Sequence, residues 1–258
     1  MKFIRFIYNN SEQYGVVSEE GVKSIKGNIF SEWEFTDDIF AYDEIEILAP
    51  VTPSKIIGIG ANYVGRKEDV PESLPDLPVF FFKPASSVIG PDKEVIIPNS
   101  IEEIKFESEL AVVIGKKTKN ISKEQVLDHI FGYTIGNDVT APQFFHDDGH
   151  WTVGKSFDTF TPLGPVIETE LDPLKLHVKA DINGVEKQNS PVEHMIVPMK
   201  EMIAYLSTVM TLNPGDVILT GSPLGAHFVK DSDVIECKVN EIGTLRNTTV
   251  RVSTPINS

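Results

Sequence analysis

The stretch Glu107-Ser-Glu-Leu-Ala-Val-Val-Ile-Gly115 places two carboxylates at the mouth of an unbroken apolar run, Leu110–Ile114. A short apolar run closed by glycine reads as a buried strand. A strand points residues i and i+2 to one face, so Glu107 and Glu109 aim at one point. Two carboxylates facing a partly buried space repel unless a proton, a basic side chain or a cation lies between them. The next strand-like segment, Phe131–Asn137, ends at Asp138, and Lys155 follows. Three carboxylates make a set of hard oxygen ligands suited to Mg²⁺ or Mn²⁺, with Ca²⁺ also accommodated.

Outward from this stretch the chain is mostly strands. Lys55–Ile59 is a buried strand running into Gly60-Ala-Asn-Tyr63, and Val79–Phe82 and Val95–Ile97 are further strands bounded by Pro or Gly. Between them, Val64–Pro78 is polar, carries three prolines and reads as a long loop able to act as a lid. Ser122-Lys-Glu-Gln125 fits a capping box opening a helix through about Ile130. Ala141–Trp151 is irregular and rich in Phe, His and Asp. Leu176–Ile182 and Val185–Gln188 flank the hairpin signal Asn183-Gly184, and Met199–Met210 has helical apolar spacing. Asn213-Pro-Gly-Asp216 turns into the strand Val217–Thr220, and Val234–Val239 and Thr248–Val252 close the chain.

Towards the N-terminus, Lys2–Tyr8, Tyr14–Ser18 and Val22–Ile25 read as short strands. An acidic stretch, Asp37–Glu46, leads to Leu48-Ala-Pro-Val-Thr-Pro53, where two prolines stiffen a linker. A boundary there divides a small β-rich N-terminal domain, residues 1–50, from a larger domain, residues 51–258. Strands outnumber helices and lack regular βαβ alternation, so the class is α+β rather than a doubly wound sheet.

At 41% apolar and 24% charged residues the composition is that of a chain able to build a sizeable core. No apolar stretch approaches the roughly 20 residues a membrane helix needs, and the N-terminal segment does not read as a signal peptide. The single cysteine, Cys237, excludes an intrachain disulfide framework and fits a reducing cytoplasm. A net charge of −15 argues against nucleic acid and anionic membrane surfaces, both of which call for clustered cations. If the substrate is itself an acid, local cations must overcome that field, which makes a metal ion and Lys155 more meaningful.

Lys55-Ile-Ile-Gly-Ile-Gly-Ala-Asn-Tyr63, Glu107–Gly115, Gly136-Asn-Asp138, Trp151-Thr-Val-Gly-Lys-Ser-Phe-Asp-Thr-Phe160 with Pro162-Leu-Gly-Pro165, and Leu219-Thr-Gly-Ser-Pro223 resemble, in this order, the fumarylacetoacetate hydrolase family. The resemblance runs from about Pro50 to Val252. It implies a mixed β-roll catalytic domain of the fumarylacetoacetase C-terminal type, in a homodimer, with one divalent cation on three carboxylates. It implies a small 2-keto or enol acid as substrate. Glu107, Glu109 and Asp138 match the family's metal ligands, and Lys155 matches the lysine beside the metal. Thr220 and Ser222 match positions contacting the substrate's carboxylate end, and Tyr63 and Lys83 match pocket-lining positions. A 2-keto acid can chelate such a cation, which then acts as a Lewis acid on the forming enolate. Three carboxylates on a divalent ion leave one negative charge, which Lys155 offsets for an anionic substrate.

The chain departs from the family where hydrolysis is concerned. Family hydrolases carry Asn-Tyr-x-x-His-x-x-Glu, whose His–Glu pair activates water; here those positions are Arg66 and Asp69. Arginine stays protonated and cannot be a general base. Where the family often has Ala-Arg-Asp-x-Gln, this chain has Ala141-Pro142-Gln143-Phe144-Phe145. The expected chemistry is therefore isomerisation, tautomerisation or decarboxylation, with Arg66 pairing a second substrate carboxylate. Two other readings stay open: a C–C hydrolase using Asp69, His146 or His150 as base, and a non-catalytic relative that binds metal and ligand.

Overall fold

The computed structural model describes residues 1–74 and 79–251. The last four residues of the expected Val64–Pro78 loop, and Val252 of the expected final strand, lie outside the described residues. The larger of the two principal sheets has 12 strands. Its main path runs Trp33–Phe40, Gly21–Gly27, Ser11–Ser18, Lys2–Tyr8, Thr161–Glu168, Ile130–Asn137, Ser108–Ile114, Val217–Leu219, Ile56–Ile59 and Phe80–Lys83. The smaller sheet has five, in the order Val185–Pro191, His177–Ile182, Val234–Val239, Gly243–Arg251 and Glu94–Ile97. Most pairs are antiparallel; Val217–Leu219 with Ile56–Ile59 and Gly243–Arg251 with Glu94–Ile97 are parallel, so both sheets are mixed. This is the mixed-sheet, helix-poor architecture expected of the family's catalytic domain.

Ser108–Ile114 is buried along its whole length. Its alternate residues serve two cores, as a strand covered on both faces requires. Leu110, Val112 and Ile114 join the larger cluster, with Val178, Ala180 and Ile235 of the smaller sheet. Ala111 and Val113 join a second cluster with Phe3, Ile56 and Val217. Burying each such side chain contributes about 1.5–3 kcal/mol.

Pairing directions then fix where the chemistry gathers. Ser108–Ile114 runs antiparallel to both Ile130–Asn137 and Val217–Leu219, and Val217–Leu219 runs parallel to Ile56–Ile59. The start of the first strand and the ends of the other three therefore lie along one edge of the sheet. Glu107, Asp138, the turn after Leu219 and the turn after Ile59 meet there.

One local expectation is corrected, and two strands appear that the sequence reading did not mark. Ser122–Ile130 is not a helix: a turn leads into a 3₁₀ segment, Val126–His129, and Ile130 already begins a strand. The capping signal is real but half made, with Ser122 N donating to Gln125 Oε1 at 3.0 Å; too few residues remain before the strand to propagate a helix. Trp33–Phe40 is an edge strand despite Glu34, Asp37 and Asp38, whose side chains face solvent. Thr161–Glu168, read only as a motif, is a strand at the centre of the sheet despite Pro162 and Pro165. The register shifts where Tyr133 to Ile135 meets Glu168 to Gly164, so the extra residues, Pro165 among them, bulge within Thr161–Glu168 itself.

Residues 1–50 extend this sheet. Lys2 pairs with Glu168 and Phe3 with Ile167, the N-terminal ammonium donates to Glu168 Oε1 at 2.9 Å, and Phe3 packs on Phe131 with ring centroids 5.1 Å apart.

Candidate active site and metal centre

Along this edge a cavity of about 420 Å³ opens to solvent. Its polar wall holds Lys105, Glu107, Glu109, Asp138, Thr140 and Lys155; Phe81, Phe145, Trp151 and Leu224 complete the lining, with Lys155 Nζ over the Phe81 ring, 4.8 Å from its centroid. Phe145 stacks on Trp151, and Phe81 meets the same indole edge-on. Aromatic rings beside charged groups suit a planar, charged molecule.

The carboxylates are placed by backbone pairing. Asp138 N donates to Glu107 O at 2.8 Å, and Glu107 N donates to Asn137 Oδ1 at 2.9 Å. Opposite Glu109 stands Gly136, where a Cβ would fall 2.4 Å from Leu219 Cδ2. One oxygen from each of Glu107, Glu109 and Asp138 lies within 4.8 Å of the others.

Three lysines surround this trio. Lys155 Nζ donates to Glu107 Oε2 at 2.7 Å and makes a very short contact with Asp138 Oδ2. Lys83 Nζ lies 2.7 Å from Asp138 Oδ1 and donates to Val139 O at 3.1 Å. Lys105 Nζ lies 3.0 Å from Glu107 Oε1. Burial alone would raise the Asp138 carboxyl, but the Lys155 and Lys83 ammoniums reverse that and hold it below its ordinary value. Burial likewise disfavours charge on both buried lysines. For Lys155 the charges of Asp138 and Glu107 win and raise its pKa; for Lys83 desolvation wins and lowers it.

Glu109 differs from its neighbours. Among the described residues no cation pairs with it; Gly221 N donates to its Oε2 at 2.7 Å. Burial, then the charges of Asp138 and Glu107, push its carboxyl well above the ordinary range. A buried carboxylate with two anionic neighbours and no ammonium calls for a proton or a metal ion. Asp138 Oδ1, although close to Lys83, is buried without a hydrogen-bond partner. Three convergent carboxylates, of which Glu109 has no cation bonded to it among the described residues, fit a hard divalent cation such as Mg²⁺ or Mn²⁺.

The remaining expected residues fall into two groups. Ser222 lines the cavity and accepts from Gln188 Nε2 at 2.8 Å. Thr220 lies deeper, its hydroxyl donating to Leu110 O at 2.8 Å. Tyr63 is buried behind the wall, its hydroxyl without a hydrogen-bond partner and its pKa raised by burial and by Glu109. Arg66 and Asp69 stand apart, forming an exposed bidentate pair at 2.9 Å outside the cavity lining. His146 and His150 are also exposed and line none of it.

Sequence reasoning missed Lys105 and Gln188. Lys105 precedes Glu107 by the same two-residue step that relates Glu107 to Glu109, so the strand periodicity already placed it on their face. No local signal marked Gln188, which reaches from the smaller sheet to accept from Ser108 N at 3.1 Å and donate to Ser222 Oγ and Pro223 O.

Comparison with known proteins follows the same lines. Residues 55–250 match the family model described as fumarylacetoacetate (FAA) hydrolase C-terminal, and residues 1–50 match one described as Rv2993c-like, N-terminal. A mitochondrial oxaloacetate tautomerase of Xenopus laevis is 42% identical over 227 residues, 82% of this chain and 70% of that protein. The structure of 5-carboxymethyl-2-hydroxymuconate delta-isomerase from Mycobacterium smegmatis gives a TM-score of 0.91 at 35% identity, covering 98% of this chain and 100% of that one. That of 2-hydroxyhepta-2,4-diene-1,7-dioate isomerase from Mycobacterium marinum gives 0.90 at 34% identity, with the same coverage.

Proposed function

The chain belongs to the fumarylacetoacetate hydrolase family, and from that premise we propose that it is a divalent-metal-dependent isomerase or tautomerase of a small 2-keto or enol dicarboxylic acid. The observation carrying this is the cavity's division of labour. Oxygen ligands and ammoniums converge on one wall, while no histidine lines it among the described residues.

A divalent cation on Glu107, Glu109 and Asp138 supplies Lewis-acid polarisation of a keto oxygen. The chain's own residues do the rest. Lys155, nine-tenths buried or more, presents a fixed ammonium where enolate charge develops, an effect worth a few kcal/mol in a site that excludes water. In the keto-to-enol direction its Nζ can pass a proton to the enolate oxygen and, then neutral, take up the proton released from the carbon next to the keto group. Lys83 holds Asp138 in its charged form and fixes its direction. Phe81, Phe145 and Trp151 cover the conjugated plane of an enol and keep water from it.

Hydrolysis needs more than this: a base that activates water. The two positions that carry such a pair in family hydrolases are Arg66 and Asp69, and they neutralise each other away from the cavity. Tautomerisation and double-bond migration need only a proton relay and an electron sink, both of which the polar wall offers. The test is to add Mg²⁺-loaded protein to oxaloacetate and follow its enol band in the ultraviolet. Faster keto–enol equilibration with the total oxo acid conserved is expected. Carbon dioxide release from oxaloacetate faster than with Mg²⁺ alone, or pyruvate released from an acylpyruvate with no effect on oxaloacetate, would overturn the assignment.

A further inference from the structure

The carboxylate trio and the lysines around it carry more positive charge than a metal-chelating end group needs. With all six groups ionised, the three carboxylates and Lys83, Lys105 and Lys155 cancel. A divalent cation then leaves two positive charges in excess. Binding a monocarboxylate leaves one of them uncompensated in a partly desolvated site, at a cost; binding a dicarboxylate leaves none.

The three lysines are not equivalent. The side chains of Lys83 and Lys155 are 0% and 5% exposed, and both are committed to Asp138. Lys105 is 33% exposed, lines the cavity, and touches Glu107 on the oxygen opposite the one Lys155 holds. Its backbone is fixed: Lys105 N donates to Thr140 O at 2.7 Å, Thr140 N donates to Lys105 O at 2.9 Å, and Lys105 pairs with Phe228 across a short ladder. Only the side chain is free to turn. Once Glu107 shares its charge with a metal ion, its hold on the Lys105 ammonium weakens.

We infer that Lys105 is the specificity-determining cation that binds the carboxylate of the substrate remote from the metal-chelating 2-keto acid end, selecting dicarboxylates over monocarboxylates. This rests on the tautomerase or isomerase assignment for its substrate class. It moves to Lys105 the role expected of Arg66, whose guanidinium is occupied by Asp69 outside the cavity lining.

Pyruvate and oxaloacetate share the chelating group and differ by the distal carboxylate, so they isolate the effect. Lys105→Gln, Lys105→Arg and Arg66→Ala are compared with the unmodified protein, all loaded with Mn²⁺. Lys105→Gln should raise KM for oxaloacetate more than about tenfold, the size of one charge-assisted contact, with kcat lowered less than threefold. It should change the dissociation constant of pyruvate less than twofold and leave Mn²⁺ affinity in calorimetry no weaker. Lys105→Arg should restore most of the discrimination. Equal losses for both acids, no loss for either, or a selective loss in Arg66→Ala instead would overturn the role. If the unmodified protein does not turn over oxaloacetate, the functional assignment fails by itself. Calorimetric binding of the two acids to Mn²⁺-loaded protein then still decides Lys105: a preference for the dicarboxylate that Lys105→Gln abolishes supports it, and no such change rejects it.

Discussion

At the scale of single residues, the site depends on which charges are compensated by protein and which are not. Lys155 bridges Glu107 and Asp138, so its removal should act on the developing enolate more than on the metal. Lys155→Met is expected to lower kcat by roughly 100-fold or more with the Mn²⁺ dissociation constant changed less than about threefold; steady-state kinetics beside calorimetry separates the two, and equal losses would make Lys155 a support for the metal only. Gly221 is the other sensitive point. Its φ of +100° and a would-be Cβ 2.6 Å from Asn62 Cβ leave no room for a side chain, and its N–H holds Glu109. Gly221→Ala should cost about 1–3 kcal/mol in urea unfolding and weaken Mn²⁺ binding; an unchanged midpoint would show that the turn relaxes freely. Much of this chemistry was legible beforehand, because the period of a strand carries Glu107 and Glu109 to one face and the family motif marks Asp138 and Lys155. Lys105 obeyed the same period, yet a lone lysine before a strand looks like any surface cation until its distance to Glu107 is known. Arg66 was the reverse case, since its partner Asp69 became visible only when the loop geometry brought the two together.

At the scale of elements, legibility follows burial pattern. Ser108–Ile114 announced itself through the continuous apolar run Leu110–Ile114, covered on both faces. Trp33–Phe40 did not, because an edge strand with acidic residues on its outer side lacks that signature. Thr161–Glu168 did not, because two prolines argue against a central strand, and the bulge that takes in Pro165 is not visible in the sequence. This second strand joins the N-terminal strands to the catalytic ones: Lys2–Tyr8 covers one side of it and Ile130–Asn137 the other. Removing residues 1–50 would bare that edge along with Ile167 and Phe131, which now pack against Phe3. A chain starting at residue 51 is therefore expected to aggregate or to lose a cooperative thermal transition. A sharp two-state melt at the midpoint of the full chain would show that the catalytic sheet does not need its N-terminal strands.

At the scale of the molecule, a chain with net charge −15 gathers three lysines around one carboxylate trio, two of them lining a cavity that aromatic rings also line. The surrounding field opposes an anionic substrate, so the cavity must supply its own attraction, and the proposed divalent ion on Glu107, Glu109 and Asp138 would be the largest part of it. Calorimetric titration of Mn²⁺ into the full-length protein and into Glu109→Gln tests this most directly. One site per chain in the unmodified protein, with binding weakened at least 100-fold in the variant, is the predicted result. Equal binding in the two proteins, or none in either, would contradict it.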